Sequence, residues 1–454
     1  MSSVSGVNLN SLLSALGSSS SGFDVSSAVA QAIAALSTPE TQWETDQTTL
    51  QTQTTDINQV NTDVSALQTS LSALSDSAGA LASMTATSSD TSVANATAAT
   101  GTAAGTHVVI VNNIASTASA YSSAVASSST ALASGSFTLQ VGSGEPTTIT
   151  VGSGGIDTLD QLAASINGQN LGVSASVVND QSGSRLALVS NSSGTANSFT
   201  ISKTSGLSFT QAAGVDASLS VDGIPIDSAS NTVTGVISGL TLNLTGANPG
   251  GQVSITVAPD STQASEAIAS FVGAYNTAIG DVNTQYSVSA TNQEGPLAGD
   301  STIQMLQDTL LSAGSYSGGG SGVATLADLG ITMNNDGTLT LNSTTLNNAI
   351  QNNFSGVETF MQGTASNGFA ATLNNQLNSL TDPVSGAFTV DLQSISSENK
   401  DLQDQINTFK TYISSQQTLL TAEYSQADIT LQEIPQEEAQ INAELGYAPT
   451  TSTS

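Results

Sequence analysis

Between residues 43 and 74, large apolar side chains recur at seven-residue steps through a background of Thr, Gln, Asn, Asp and Ser. One lane holds Trp43, Leu50, Ile57, Val64 and Leu71; a second holds Val60, Leu67 and Leu74. At a/d spacing these lanes give a helix with a narrow apolar seam and a polar remainder, and such a seam needs a partner. The far end of the chain offers one, with Leu392, Ile406, Ile413, Leu420, Ala427, Ile434 and Ile441 in one lane and Ile395, Leu402 and Phe409 in the other. If the two helices pair within one chain, they run antiparallel and everything between them is an outward excursion. The expected fold is therefore α+β and multidomain: an antiparallel coiled-coil stalk made by the terminal helices, with antiparallel β domains inserted. The expected stalk and assembly seam consists of Trp43, Leu50, Ile57, Val60, Val64, Leu67, Leu71, Leu74, Leu402, Ile406, Phe409, Ile413 and Leu420.

Charge narrows the partners. Four basic residues (Arg185, Lys203, Lys400 and Lys410) face 35 acids, a net charge of −31 that argues against nucleic acid. Only 9% of residues are charged, against about 25% in ordinary domains, so the imbalance comes from missing Lys and Arg. An acid-bathed exterior and simple drift both account for it. Cysteine is absent, which excludes disulfides, thiolate metal sites and a Cys nucleophile. No basic and apolar leader opens the sequence, and no run approaches the roughly 20 apolar residues of a membrane span. A secreted protein of this sequence is expected to leave by a route without a cleaved signal.

Six segments follow along the chain. Residues 1–40 read as a flexible N-terminal segment with short apolar clusters at 7–16 and 25–36, the second capped by Asp24, and with Thr38-Pro39 as the cap and first turn of the long helix. Residues 41–105 form the N-terminal half of the stalk. From 107 to 257 short alternating runs such as HVVIV, FTLQV, VSASVV, LTLNL and VSITV are separated by turn residues, which predicts antiparallel β structure. It divides into a domain beside the stalk, 106–125 with 216–257, and an outer domain, 126–215, that carries one short helix near 158–167. Residues 258–390 form a helical or mixed base, where Ala267, Ile268, Phe271, Tyr275, Ile279 and Val282 share a face; residues 391–454 are a C-terminal coil and tail.

No enzyme chemistry is expected. GDSTIQ at 299–304 is similar to a hydrolase nucleophile block, but a Ser nucleophile needs a nearby base, and the one histidine, His107, lies in a strand-like run far away. Asp300 or Ser301 reads instead as a helix cap. Asn334, Asp336 and Gly337 imitate part of a calcium loop, yet Thr332 and Ser343 stand where acids are required, so a hairpin turn is expected. The glycines at 318–322 lack a following Gly-Lys-Ser/Thr and read as a loop. No metal or cofactor is implied.

Several blocks resemble the bacterial flagellar filament cap family, FliD or hook-associated protein type 2. They are ASLSVDGIPIDSASNTVTGVISGLTLNL (217–244), FVGAYN (271–276), GPLAGDST (295–302) and LADLGITMNNDGTLTLN (326–342), and residues 159–190 resemble the insert shared by flagellins and their cap. The likeness runs from residue 22 to about 445, with Gln and Thr where the family's terminal helices usually carry Arg and Lys, and with Pro435 expected to interrupt the last helix. The resemblance implies a ring-shaped homo-oligomer, a pentamer among its forms, at the extracellular filament tip, where exported flagellin folds and polymerises beneath it. It implies the hook-filament junction protein, the flagellar export apparatus and its chaperone as further partners. A hook-filament junction protein and an adhesin binding host glycans are the alternatives.

Overall fold

The computed structural model describes residues 24–152, 155–287, 294–318, 322–363 and 367–445. The apolar cluster at 7–16, parts of the glycine turns at 152–155 and 318–322, and the tail after 445 lie outside the described residues. Asp24 caps α1 (Val25–Leu36), its carboxylate accepting a hydrogen bond from the Ser27 N–H at 3.1 Å. Ser37 separates it from α2 (Thr38–Ser75), which has Pro39 in its first turn. Ser37, not Thr38, is the cap residue of α2, and the Thr38 hydroxyl donates back to the Ala35 carbonyl at 3.2 Å. Threonine is a poor helix former, but in α2 the hydroxyls of Thr45, Thr48, Thr49, Thr52, Thr54, Thr55 and Thr62 donate to carbonyls four residues earlier, which satisfies them locally.

The helix ends before the β region that the sequence predicts, and two strands intervene: β1 (Met84–Ser88) and β2 (Ala94–Ala98). Residues 41–105 are thus not helical throughout. Built, apart from Met84, from Ala, Thr, Ser and Asn, these strands carry too little large apolar mass to show as alternation. After β3 (Gly105–Asn113), the chain crosses to an outer unit of β4 (Thr117–Ser122), β5 (Gly135–Val141), β6 (Thr147–Val151), α3 (Leu159–Gly168), β7 (Val173–Asp180), β8 (Gly183–Ser193), β9 (Phe199–Thr204) and β10 (Phe209–Ala212). It returns through β11 (Ala217–Val221), β12 (Ile224–Ser228), β13 (Thr232–Ile237), β14 (Leu240–Leu244) and β15 (Val253–Pro259).

The pairing is antiparallel throughout. Sheets β1-β15-β3-β11-β12 and β13-β14-β2 enclose one core around Val109, Leu219, Leu242 and Ile255. Sheets β10-β4-β8-β7 and β6-β5-β9, with α3 against them, enclose a second around Phe137, Leu162, Ile166 and Leu188. Because β4 pairs with β8 and β10, the crossing falls at residues 113–117, earlier than the 125/126 joint expected. An isolated bridge, Ser116 with Val215, and the Asn231 side chain, which bonds the Ala115 N–H and carbonyl at 2.7 and 2.9 Å, fasten the crossing.

Beyond β15 the chain is helical again: α4 (Ser261–Tyr286), α5 (Ser301–Ala313), α6 (Ser343–Asn352), α7 (Phe354–Gln362), α8 (Phe369–Thr381) and α9 (Ala387–Glu444). Asp300 caps α5, accepting from the Thr302 and Ile303 N–H groups at 2.7 and 3.1 Å. The short hairpin β16 (Ile331–Met333) and β17 (Leu339–Leu341) turns at Gly337, whose φ of 80° suits glycine. Pro435 does not interrupt α9, which runs through it to Glu444; on an exposed helix the carbonyl it frees can be hydrated.

Candidate functional site

The α2 seam meets two sets of partners. Ile57, Val60, Val64, Leu67, Leu71 and Leu74 are all fully buried, in the same core as Ile268, Phe271, Tyr275, Ile279 and Val282 of α4 and Leu373, Leu377 and Leu380 of α8. Polar bonds along its edge follow the same neighbours: Gln68 Nε2 donates to Asn378 Oδ1 at 2.6 Å, and the Thr381 hydroxyl to Gln68 Oε1 at 3.0 Å. This lower half was expected to face the C-terminal helix. The helix α4 has the broader apolar face, filled by Phe271 and Tyr275, and so covers more of the seam than the single-file residues of α9 could.

The upper half does face α9, antiparallel. Trp43 and Phe409 meet edge to face at 5.2 Å between centroids, and Gln47 Nε2 donates to Asn399 and Gln403 at 3.0 and 2.9 Å. Lys410 reaches across to Glu40 and Glu44 at 3.3 and 3.1 Å. The Glu44 bond, then the Glu40 bond, hold its ammonium above the usual lysine range. Leu50, Ile406 and Ile413 are buried, whereas Trp43, Leu402, Phe409 and Leu420 are half-buried. Past that point Ala427, Ile434 and Ile441 are exposed, so the distal part of the expected lane has no cover among the described residues. The helix α1 packs beside α9 as well.

Two groups of carboxylates escaped the sequence reading. Asp281 of α4 lies beside Asp63 and Asp56 of α2, and one of its oxygens is buried without a partner. Burial, then the hydrogen bond and charge of Asp63 and the charge of Asp56, push its carboxyl up to about 6. Asp391 of α9 is likewise pushed up to about 6 by burial and by Asp300, while Thr302 pulls it down. A signal existed, since Asp56 and Asp63 repeat the seven-residue step directly beside Ile57 and Val64. By contrast, His107 sits in β3 with its Nδ1 2.8 Å from Asp222, and Ser301 follows the Asp300 cap. Among the described residues no group of acids and histidines could hold a metal.

Fold and seam together define a class, a stalk-and-head assembly protein whose chain leaves and returns along one helical shaft with two β units strung on the excursion. Family descriptions match in that order: flagellar hook-associated protein 2 N-terminus at residues 21–118, flagellin hook IN motif at 136–192, and flagellar hook-associated protein 2 C-terminus at 214–436. The chain belongs to the flagellar hook-associated protein 2 family, known also as FliD. It is 29% identical over 378 residues to the B-type flagellar hook-associated protein 2 of Pseudomonas aeruginosa, covering 74% of this chain and 79% of that one. To the flagellar hook-associated protein 2 of Escherichia coli K12 it is 27% identical over 383 residues, 77% of this chain and 81% of the relative. The crystal structure of the D1-D2-D3 domains of the E. coli flagellar cap protein FliD superposes with a TM-score of 0.59 at 26% identity, covering 75% of this chain and 99% of the other.

Proposed function

We propose that this chain forms the cap at the distal end of the bacterial flagellar filament. Copies of it make a ring whose plate is built from the β units and whose legs are α2 and α9. Flagellin arriving at the tip is retained there, folds and polymerises beneath the plate, and the filament elongates. The protein works outside the cell and reaches the tip through the flagellar export apparatus with its chaperone, next to the hook-filament junction protein while the filament is short. Among the described residues no helix is long and apolar enough to cross a membrane.

The observation that carries this reading is the closure of the stalk by opposite ends of the chain, Trp43 on Phe409, within a chain that carries the family's blocks in order. The residues that make the seam, from Trp43 to Leu74 on one helix and Leu402 to Leu420 on the other, are the leg's working surface. Negative-stain electron microscopy of the purified protein with filaments tests it, together with motility in a strain lacking its own cap. Rings at filament tips and restored motility are expected; binding only along the shaft or at the hook junction would overturn it.

A further inference from the structure

The seam is covered unevenly along its length. The Gln53 side chain donates to the Pro296 carbonyl at 2.9 Å, which marks the top of the helical base. Above it the seam lies between α2 and α9, and the groove beside that pair is lined by residues of these two helices alone. Its lower part, about 660 Å³, has Leu50 and Leu402 as floor and Asp46, Glu398 and Asp401 on its rim. The upper part, about 420 Å³, is lined by Trp43, Phe409 and Tyr412 with Asp404 beside them. Gln405 lines both, so the two hollows adjoin along α9 and together make the channel. From 398 to 412 along α9 this spans about 21 Å, the length of roughly four helical turns.

Its chemistry is unlike the rest of the shaft. Aromatic residues make up 4% of the chain, yet its single Trp meets Phe409 here, and the Phe409 and Tyr412 rings lie 5.9 Å apart. Tyr412 is 48% exposed. No lysine or arginine lines the channel, and none of the four rim acids belongs to an ion pair among the described residues. Apolar floor and acidic rim together select the occupant. A second copy would set acid against acid, and with four Lys and Arg against 35 acids it has few bases to offer.

We propose that this channel is a docking site for one helix of another protein, an amphipathic helix of about four turns. Its apolar stripe seats on Trp43, Leu50, Leu402 and Phe409, and its flanking Lys or Arg face Asp46, Glu398, Asp401 and Asp404. The inference rests on the cap reading only for which protein supplies that helix; the recognition chemistry stands on the groove.

Trp43 is its own reporter. The full chain is titrated with a synthetic leucine–lysine amphipathic peptide and with its leucine–glutamate counterpart, and Trp43 emission is followed. The lysine peptide should shift the emission to the blue with saturation at one per chain, and the glutamate peptide should leave it unchanged. Asp401→Asn with Asp404→Asn should weaken binding about tenfold. Glu437→Gln with Glu438→Gln, the same charge change at exposed positions on distal α9, should alter it less than about twofold. Tyr412→Ala, at an exposed position, should weaken it with far-ultraviolet dichroism unchanged. Equal losses from the two double variants would reduce the effect to general attraction by an acidic chain and overturn the site. So would equal binding of both peptides, no spectral change, or an emission shift that follows protein concentration alone and marks a second copy. Motility complementation is read separately, so a failed cap reading leaves a different signature from a failed groove.

Discussion

A single half-buried carboxylate can make the helical base respond to pH. Asp281 has its carboxyl raised from an ordinary 3.8 to about 6 by burial and by Asp63 and Asp56. Between those values the folded chain holds a proton that the unfolded chain has lost. This group's stabilisation is therefore complete below about pH 4 and is lost as pH rises through about 6. Asp281→Asn should remove this group's share of the dependence, leaving that of Asp391, and stabilise the helical base at pH 7.5 by about 1 kcal/mol, a figure reduced for solvent screening. Urea unfolding followed by helical dichroism at pH 4.5 and 7.5 checks it; an unchanged difference between the two pH values would refute the pairing. Tyr275 gives a neutral comparison in the same core. Its buried hydroxyl donates to the Leu310 carbonyl at 2.8 Å, so Tyr275→Phe should cost about 1 to 2 kcal/mol at either pH.

At the scale of the element, the seam of α2 serves two purposes along one helix, and substitution should separate them. Ile57 is fully buried among α4 and α8 neighbours, so Ile57→Asp places an unpaired carboxylate in the core at a cost of roughly 3 to 5 kcal/mol. The two β units have cores of their own. Their strand signal should survive while helical content and tip binding fall together; Gln51→Asp, at an exposed position on α2, is the control. Loss of neither would remove the seam from the leg. Periodicity made α2 and α9 legible because their lanes combine large residues with a polar background. It made β3, β5, β7, β14 and β15 legible for the same reason with a period of two. It hid β1, β2 and β4, whose inward positions are mostly Ala, with Met84 in β1 and Ser122 in β4, and it gave no account of which helix covers which half of a seam. Seven-residue spacing states that a stripe is apolar, whereas the breadth of the competing face, here Phe271 and Tyr275, decides the partner. The groove at Trp43 was legible only as individual residues, because the spacing within each helix does not say that Asp46, Asp401 and Asp404 come to line the same side of the pair.

On the scale of the whole molecule, the missing Lys and Arg govern assembly. Each copy carries −31 at neutral pH, and bringing copies together raises the density of like charge, a cost that salt screens over about 8 to 10 Å. The oligomer should therefore tighten when salt rises from 0.05 to about 0.5 M at pH 7, the opposite of an assembly held by ion pairs. Acid should act in the same direction. Below about pH 4 most carboxylates are protonated, and four Lys and Arg with one His are nearly all the positive charge the chain can then carry. An ordinary domain becomes strongly cationic there and repels itself apart, whereas this chain approaches neutrality close to its isoelectric point of about 4.1. Opposing this, Asp222, Asp328, Asp336 and Asp382 sit below the usual carboxylate range through local hydrogen bonds, and their contributions fade as pH falls past that range. All four lie at turns and caps on the surface, where such bonds are individually weak. Relief of repulsion across every subunit contact should outweigh them. Light scattering should thus find the oligomer intact at pH 3, with its lowest solubility near pH 4. Dissociation at pH 3, with an intact ring at pH 7, would mean that the surface carboxylates hold the ring together, and the low-charge exterior would need an explanation other than tolerance of acid.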